Sequence, residues 1–142
     1  MISKRKRLSW IIMVVFLFSM VLPGFIQPAQ AVSISIVSVS PADGATQVPL
    51  ATPITATYSE PIFPGPHFPM ISMAANQALI GTSAAINGSI LSIMPTSGLL
   101  PNTTYTVTIP PTAVQDGAGN SPQEARVFSF TTVAGGGGGS GV

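Results

Sequence analysis

The chain has 142 residues, no cysteine, and 5 Lys+Arg against 4 Asp+Glu, so that only 6% of it is charged. Its length fits one domain with extensions, and the lack of cysteine excludes a disulfide scaffold, a thiolate metal site and a Cys nucleophile. One His and a few acids leave little material for acid–base chemistry, and the net charge of +1 gives no basic surface for nucleic acid.

That net charge averages two unlike segments. Lys4, Arg5, Lys6 and Arg7 open the chain, and the uncharged run Leu8 to Leu22 follows. Pro23 and Gly24 then break the run, and Ala29-Gln30-Ala31 places small residues at a cleavage site. This order predicts a cleavable signal peptide over residues 1–31, and hence a secreted or cell-surface (extracytoplasmic) protein that holds no membrane segment once cleaved. An uncleaved anchor would need about twenty apolar residues, and the Pro-Gly break argues against it. Past residue 31, Arg126 stands alone against Asp43, Glu60, Asp116 and Glu124.

From Val32 to Val133 the apolar pattern has period two. Ile34 and Ile36 alternate with serines, and Val37 and Val39 continue in the opposite phase, which predicts a bulge or a crossing between sheets. Ile54 to Tyr58 alternates cleanly. A stretch around Phe68 to Met73 and a weaker one from Ile80 to Ile86 are read as strands. Asn87-Gly88 suits the two central positions of a type I′ turn, with Ile90 to Met94 as the return strand. Thr104 to Ile109 and Val127 to Thr131 alternate strictly, the latter with Phe128 and Phe130 on one face.

Twelve of the 14 prolines fall within this segment, mostly between the strands. Proline removes a ladder donor, so it marks turns and edges, and Pro-rich edges would guard against pairing between copies. No helix of ordinary length survives such punctuation. About seven short strands predict an all-β fold, a two-sheet antiparallel β-sandwich over residues 32–133. The segment 61–70, which contains Pro64-Gly65-Pro66-His67-Phe68-Pro69, is stiff, and its pattern does not place it on either sheet. Residues 134–142, Ala-Gly-Gly-Gly-Gly-Gly-Ser-Gly-Val, read as a flexible tail or linker, as in a piece of a longer modular protein.

Four motifs recur in order: Ser40 to Pro49 after the first strand, Ile54 to Tyr58 leading into Ser59-Glu60-Pro61-Ile62, Leu99-Leu100-Pro101-Asn102-Thr103-Thr104-Tyr105, and Val114-Gln115-Asp116-Gly117-Ala118-Gly119-Asn120 before Phe128 to Thr132. Together they resemble the bacterial Ig-like domain family of the SbsA/Big_5 type, an S-layer-like Ig-like module. The resemblance implies an extracytoplasmic sandwich in a bacterial surface or secreted protein, with no catalytic residues.

Residue by residue, the reading is structural. In Pro41-Ala42-Asp43-Gly44, Pro fixes φ, Asp caps its own backbone and Gly accepts positive φ. Tyr105 heads a strand after a turn, where an Ig-type tyrosine corner is expected. Asp116 and Asn120 invite a calcium reading, but a single carboxylate favours a turn. Glu60 has loop N–H groups or Arg126 as partners, and no second carboxylate or base beside it for catalysis. His67 is a lone histidine on a loop. Asn87-Gly-Ser and Asn102-Thr-Thr fit the N-glycosylation triplet but serve equally as turn starters. No nucleophile, phosphate-loop or zinc-protease motif appears, so no catalytic, cofactor-binding or metal residue is assigned.

The function expected is therefore that of a non-enzymatic module, a structural spacer, display or adhesion domain. Its expected partners are neighbouring domains of a modular surface protein or a cell-envelope component. The second reading is a polysaccharide-binding accessory module of a secreted carbohydrate-active protein. Sugar platforms need exposed aromatics, and after cleavage only Phe63 and Phe68 stand outside the strand pattern, Tyr58 and Tyr105 having core alternatives.

Overall fold

The computed structural model describes residues 33–135, so the expected leader and most of the expected tail lie outside the described residues. The strands are β1 (Ile36–Ser40), β2 (Ala45–Val48), β3 (Ile54–Tyr58), β4 (Phe63–Pro64), β5 (Ser72–Ala75), β6 (Ala78–Ile80), β7 (Thr82–Asn87), β8 (Ile90–Pro95), β9 (Thr104–Ile109), β10 (Val114–Gln115) and β11 (Arg126–Thr132), with one 3₁₀ turn at Phe68–Met70. One sheet has the order β1-β3-β8-β7 and the other β2-β11-β9-β5-β6, while β4 and β10 form a short ribbon of their own.

The two-sheet reading holds, and several of its details change. There are more strands than the seven expected. Phe68 to Met70 is a 3₁₀ turn, so the strand expected from Phe68 begins only at Ser72. The pairing is not wholly antiparallel, because β2 runs parallel to β11 with Ala45 opposite Phe130. The cause is a crossing. The chain leaves β3 at the end of β1, turns through Pro41 to Gly44, and keeps its direction as it joins the second sheet. The phase change at Val37 marks a bulge, seen as a register shift between Ile36 and Ser38 against β3.

A second crossing lies at Gly81. The expected strand Ile80 to Ile86 is two strands, β6 on the edge of the larger sheet and β7 on the edge of the smaller. The hairpin after it also moves by one residue. Asn87 pairs with Ile90, which makes Gly88-Ser89 the loop, and Gly88 takes φ 61° while Asn87 stays extended. Glycine leading a two-residue loop is the type II′ arrangement. The loop with two positive φ values is Asn76 (46°) and Gln77 (73°), between β5 and β6. Most prolines sit in the connections, with Pro64 and Pro95 as the last residues of β4 and β8. None of the outer strands β1, β2, β6 and β7 contains a proline or a charge.

The core lies between the sheets. Ile54, Ala56 and Tyr58 of β3 and Leu91 and Ile93 of β8 face Met73, Tyr105, Val107, Ile109, Phe128 and Phe130 of the larger sheet, and all are buried. Alternation makes this possible, since each strand sends every second side chain inward. Tyr105 and Phe130 are opposite each other in the β9–β11 ladder. Their rings stack with centroids 5.5 Å apart.

The Tyr105 hydroxyl accepts a hydrogen bond from the Leu100 N–H at 2.8 Å, which is the tyrosine corner. Thr132 straps the same turn from the other side. Its hydroxyl donates to the Leu100 carbonyl at 2.7 Å and accepts from the Thr103 N–H at 3.0 Å. Tyr58 is the contrasting case. Its hydroxyl is buried with no hydrogen-bond partner among the described residues, and burial pushes its pKa up to about 12. The two tyrosines should therefore respond oppositely to loss of the hydroxyl. Tyr105→Phe strands the Leu100 N–H and is expected to cost about 1–2 kcal/mol. Tyr58→Phe removes an orphaned buried group and is expected to leave stability unchanged or higher. Denaturant melts of the two variants measure both.

Candidate functional site

One end of the sandwich carries three connections: residues 59–71 between β3 and β5, the Gly88-Ser89 turn, and residues 110–125 between β9 and β11. The chain also enters the domain here, for Ser35 and Ser59 are joined by Ser59 N–H to Ser35 O at 2.9 Å and Ser35 N–H to Ser59 Oγ at 3.2 Å. The Pro-rich segment crosses this end as a strap. Ile62 and Ile71 plug its two ends into the core, and the Ile62 N–H bonds to the Gly88 carbonyl at 2.9 Å.

The strap docks on the β9–β11 connection. Phe63 and Pro64 pair with Gln115 and Val114, and the Gly65 N–H bonds to the Ala113 carbonyl at 2.9 Å. A Cβ on Gly65 would collide with the Thr112 carbonyl oxygen, so only glycine allows this approach. Thr112 itself holds φ 60°. His67 lies next along the strap. Its Nδ1 meets the Thr112 hydroxyl and the Pro111 carbonyl, the latter at 3.3 Å. The Thr112 hydroxyl can donate to or accept from this nitrogen, so either ring tautomer satisfies the contact.

Phe68 is half-buried and packs against the core, which removes it from the loose aromatics expected as sugar platforms. Phe63 is 51% exposed. Its ring lies over Gly117, 3.8 Å from where a Cβ would stand.

Asp116 follows β10 in a tight loop. Its Oδ1 accepts from the Ala118 N–H at 2.8 Å and the Asn120 N–H at 2.9 Å, and Oδ2 accepts from Asn120 Nδ2 at 2.8 Å. The Asn120 side chain, then its backbone N–H, hold the Asp116 carboxyl below the usual carboxylate range. Both oxygens are thus engaged by the loop's own donors. Glu60 and Arg126 are exposed, and no ion pair joins them among the described residues.

Asp43 acts at a distance rather than on its own turn. Its Oδ1 accepts from the Ser129 N–H at 2.9 Å, and the Gly44 N–H bonds to the Ser129 carbonyl at 2.7 Å. The side chain stands in for a strand carbonyl where β2 begins to follow β11. Sequence reading missed this clasp, since Asp-Gly after Pro is a complete turn signal locally.

The profile of a bacterial Ig-like domain matches residues 30–132. The chain belongs to the bacterial Ig-like domain family. Among solved structures, this Ig-like domain resembles the N-terminal part of the bacterial S-layer protein SbsC, with a TM-score of 0.51 at 18% identity. The likeness covers 72% of this chain and 24% of that one, so the chain spans about a quarter of the solved protein. A search of curated proteins gives no match.

Two outcomes are expected at this end. Gly65→Ala should lift the strap from Thr112 and destabilise the domain by about 1–3 kcal/mol, as overpacking does, with faster amide exchange at Gln115 in the ribbon. A melt and exchange profile matching the unsubstituted domain would refute the close-approach argument. For Asp116, the lowered pKa means that its stabilising effect is complete above the unfolded value of about 3.9 and is lost as pH falls through the lower folded value. Asp116→Asn should flatten the acid side of the stability–pH curve, measured as melting temperature against pH.

Proposed function

We propose that this Ig-like domain is a non-enzymatic, extracytoplasmic module that holds other parts of a bacterial surface or secreted protein apart, for display or adhesion. In this reading residues 1–31 are the export signal, 32–133 the domain and 134–142 the link to a neighbouring unit. The Asp116 loop serves as a turn rather than a metal site. Family membership supports the setting, and so does the likeness to part of a bacterial S-layer protein.

The observation that carries the reading is the placement of the chain's entry and exit. Ser35 enters beside Ser59 at the strapped end. At the other end Val133 leaves, its N–H bonded to the Val48 carbonyl at 2.9 Å and its carbonyl to the Asn102 N–H at 2.8 Å. The strands between them set a separation of roughly 20 Å. A domain entered at one end and left at the other transmits position along a line, which is what a spacer needs. Against the polysaccharide reading, Phe63 stands without a second exposed aromatic in the strap, because Phe68 packs inward.

Tension applied through the two ends loads β2 and β11 in shear, because they run parallel. Held by its ends in a single-molecule experiment, the domain should resist and then unfold in one step. Asp43→Ala removes the clasp to Ser129 and should lower the unfolding force, while Phe63→Ala should leave it unchanged. Gradual unravelling at low force would contradict a load-bearing spacer.

A further inference from the structure

The outer edge of β7 is open among the described residues. A two-residue hairpin loop makes its flanking residues, Asn87 and Ile90, exchange both hydrogen bonds. The Thr96 N–H to Gly81 carbonyl bond at 2.9 Å has the same phase. By alternation Ser83 and Ala85 also bond to β8. Thr82, Ala84 and Ile86 therefore direct their N–H and C=O groups away from the sheet.

The edge differs from the others in the domain. β1 is bulged at Val37. β2 has four residues with Gln47 at φ 57°, and β6 has three. β7 has six regular residues and an unbroken ladder to β8. The strand itself carries no proline, charge or bulge, three of the devices that protect a sheet edge. Beside it lies an open hollow of about 480 Å³, lined by Phe63, Pro64 and Phe68 of the strap and by Ala84 and Ile86.

We propose that β7 pairs with β7 of a second copy of this chain, antiparallel and about a two-fold axis through Ala84. This register sets Thr82 opposite Ile86 of the partner, Ala84 opposite Ala84 and Ile86 opposite Thr82, so that every outward N–H and C=O is used. Shifting it by a pleat in either direction loses one of those pairs. A self-pairing strand must bring identical chemistry together, and an uncharged one sets no like charges opposite each other. The exposed residues Ser83 and Ala85 face each other across the axis and are small. The inward side chains beside the strap, Thr82 and Ala84 of the second copy, are small enough to enter the hollow. The two smaller sheets then become one continuous sheet. A strand from an unrelated protein would have to match the same short, uncharged register, whereas the second copy matches it by symmetry.

The test uses the full chain in solution, with mass measured by light scattering over a dilution series. The expected mass is twice that of one chain at high concentration, falling to that of one chain on dilution. Ser83→Lys with Ala85→Lys sets lysines opposite each other across the axis and should give a single chain at every concentration. Ser83→Lys with Ala85→Glu sets Lys opposite Glu twice and should restore the doubled mass. Amide exchange gives an independent reading that needs no variant, since the Thr82, Ala84 and Ile86 N–H groups should be slow in the pair and fast on dilution. The mass of one chain at all concentrations overturns the proposal. So does a pair that survives the double lysine change, or slow exchange at those amides in a single chain, which would mean that another segment of the same chain covers the edge. None of these results bears on the spacer reading, which rests on the chain's entry and exit.

Discussion

Phe130 stacks on Tyr105 across the β9–β11 ladder, and the remaining elements take their places from that pairing. Through β9 the ladder reaches β5, and from there the β6 edge. Through β11 it reaches β2, and from there the crossing back to β1. The inward residues of the two central strands, Tyr105, Val107, Ile109, Phe128 and Phe130, form one wall of the core. The smaller sheet has nothing to pack against until that wall exists. Tyr105 also fixes the turn before β9 through Leu100, so a single side chain sets both the packing and the entry of the strand.

Scarcity of charge shapes the rest. With so few ionisable residues, the domain ties its loops with neutral groups or with carboxylates that imitate the backbone. Thr132 binds Leu100 and Thr103. The Asn76 side chain accepts from the Thr104 N–H at 3.1 Å. Asp43 and Asp116 each accept from main-chain N–H groups, and among the described residues neither meets a cation. Such bonds are short-ranged and are barely screened by salt, unlike exposed ion pairs. They are also directional, so they define loop shape better than opposite charges would.

The parts of this design that were legible in the sequence are the local ones. Strict alternation placed β3, β9 and β11, the change of phase at Val37 marked the bulge, and the position of Tyr105 after Pro101-Asn102 marked the corner. The misreadings arose where a distant partner decides. Alternation runs through Gly81 without a break, so the change of sheet there is invisible until β5 and β8 are seen to claim different halves. Asn87-Gly88 is a good turn by itself, but the observed register sets Ile86 opposite Leu91, whereas a turn one residue earlier would set Ile86 opposite Ser89. Apolar pairing outweighed turn preference. The stiffness of the Pro-rich strap was readable, and its destination was not, because the ribbon that receives it is the two-residue strand Val114–Gln115. Asp43 was read as a local cap because its true partner, Ser129, lies 86 residues away.

These features divide the surface by role. At the strapped end several polar groups are already engaged: the His67 ring on Thr112 and Pro111, the Asp116 carboxylate on its own loop, the Gly65 N–H on Ala113. An end built this way holds a shape. The opposite end is occupied by the tyrosine corner and the departing chain. Unused backbone hydrogen-bonding capacity is therefore concentrated along the sides, in the outer strands. A module whose ends continue the chain and whose sides carry free, uncharged strand edges is suited to contacts with extended backbone, and β7 is the longest regular stretch of such an edge that the described residues present.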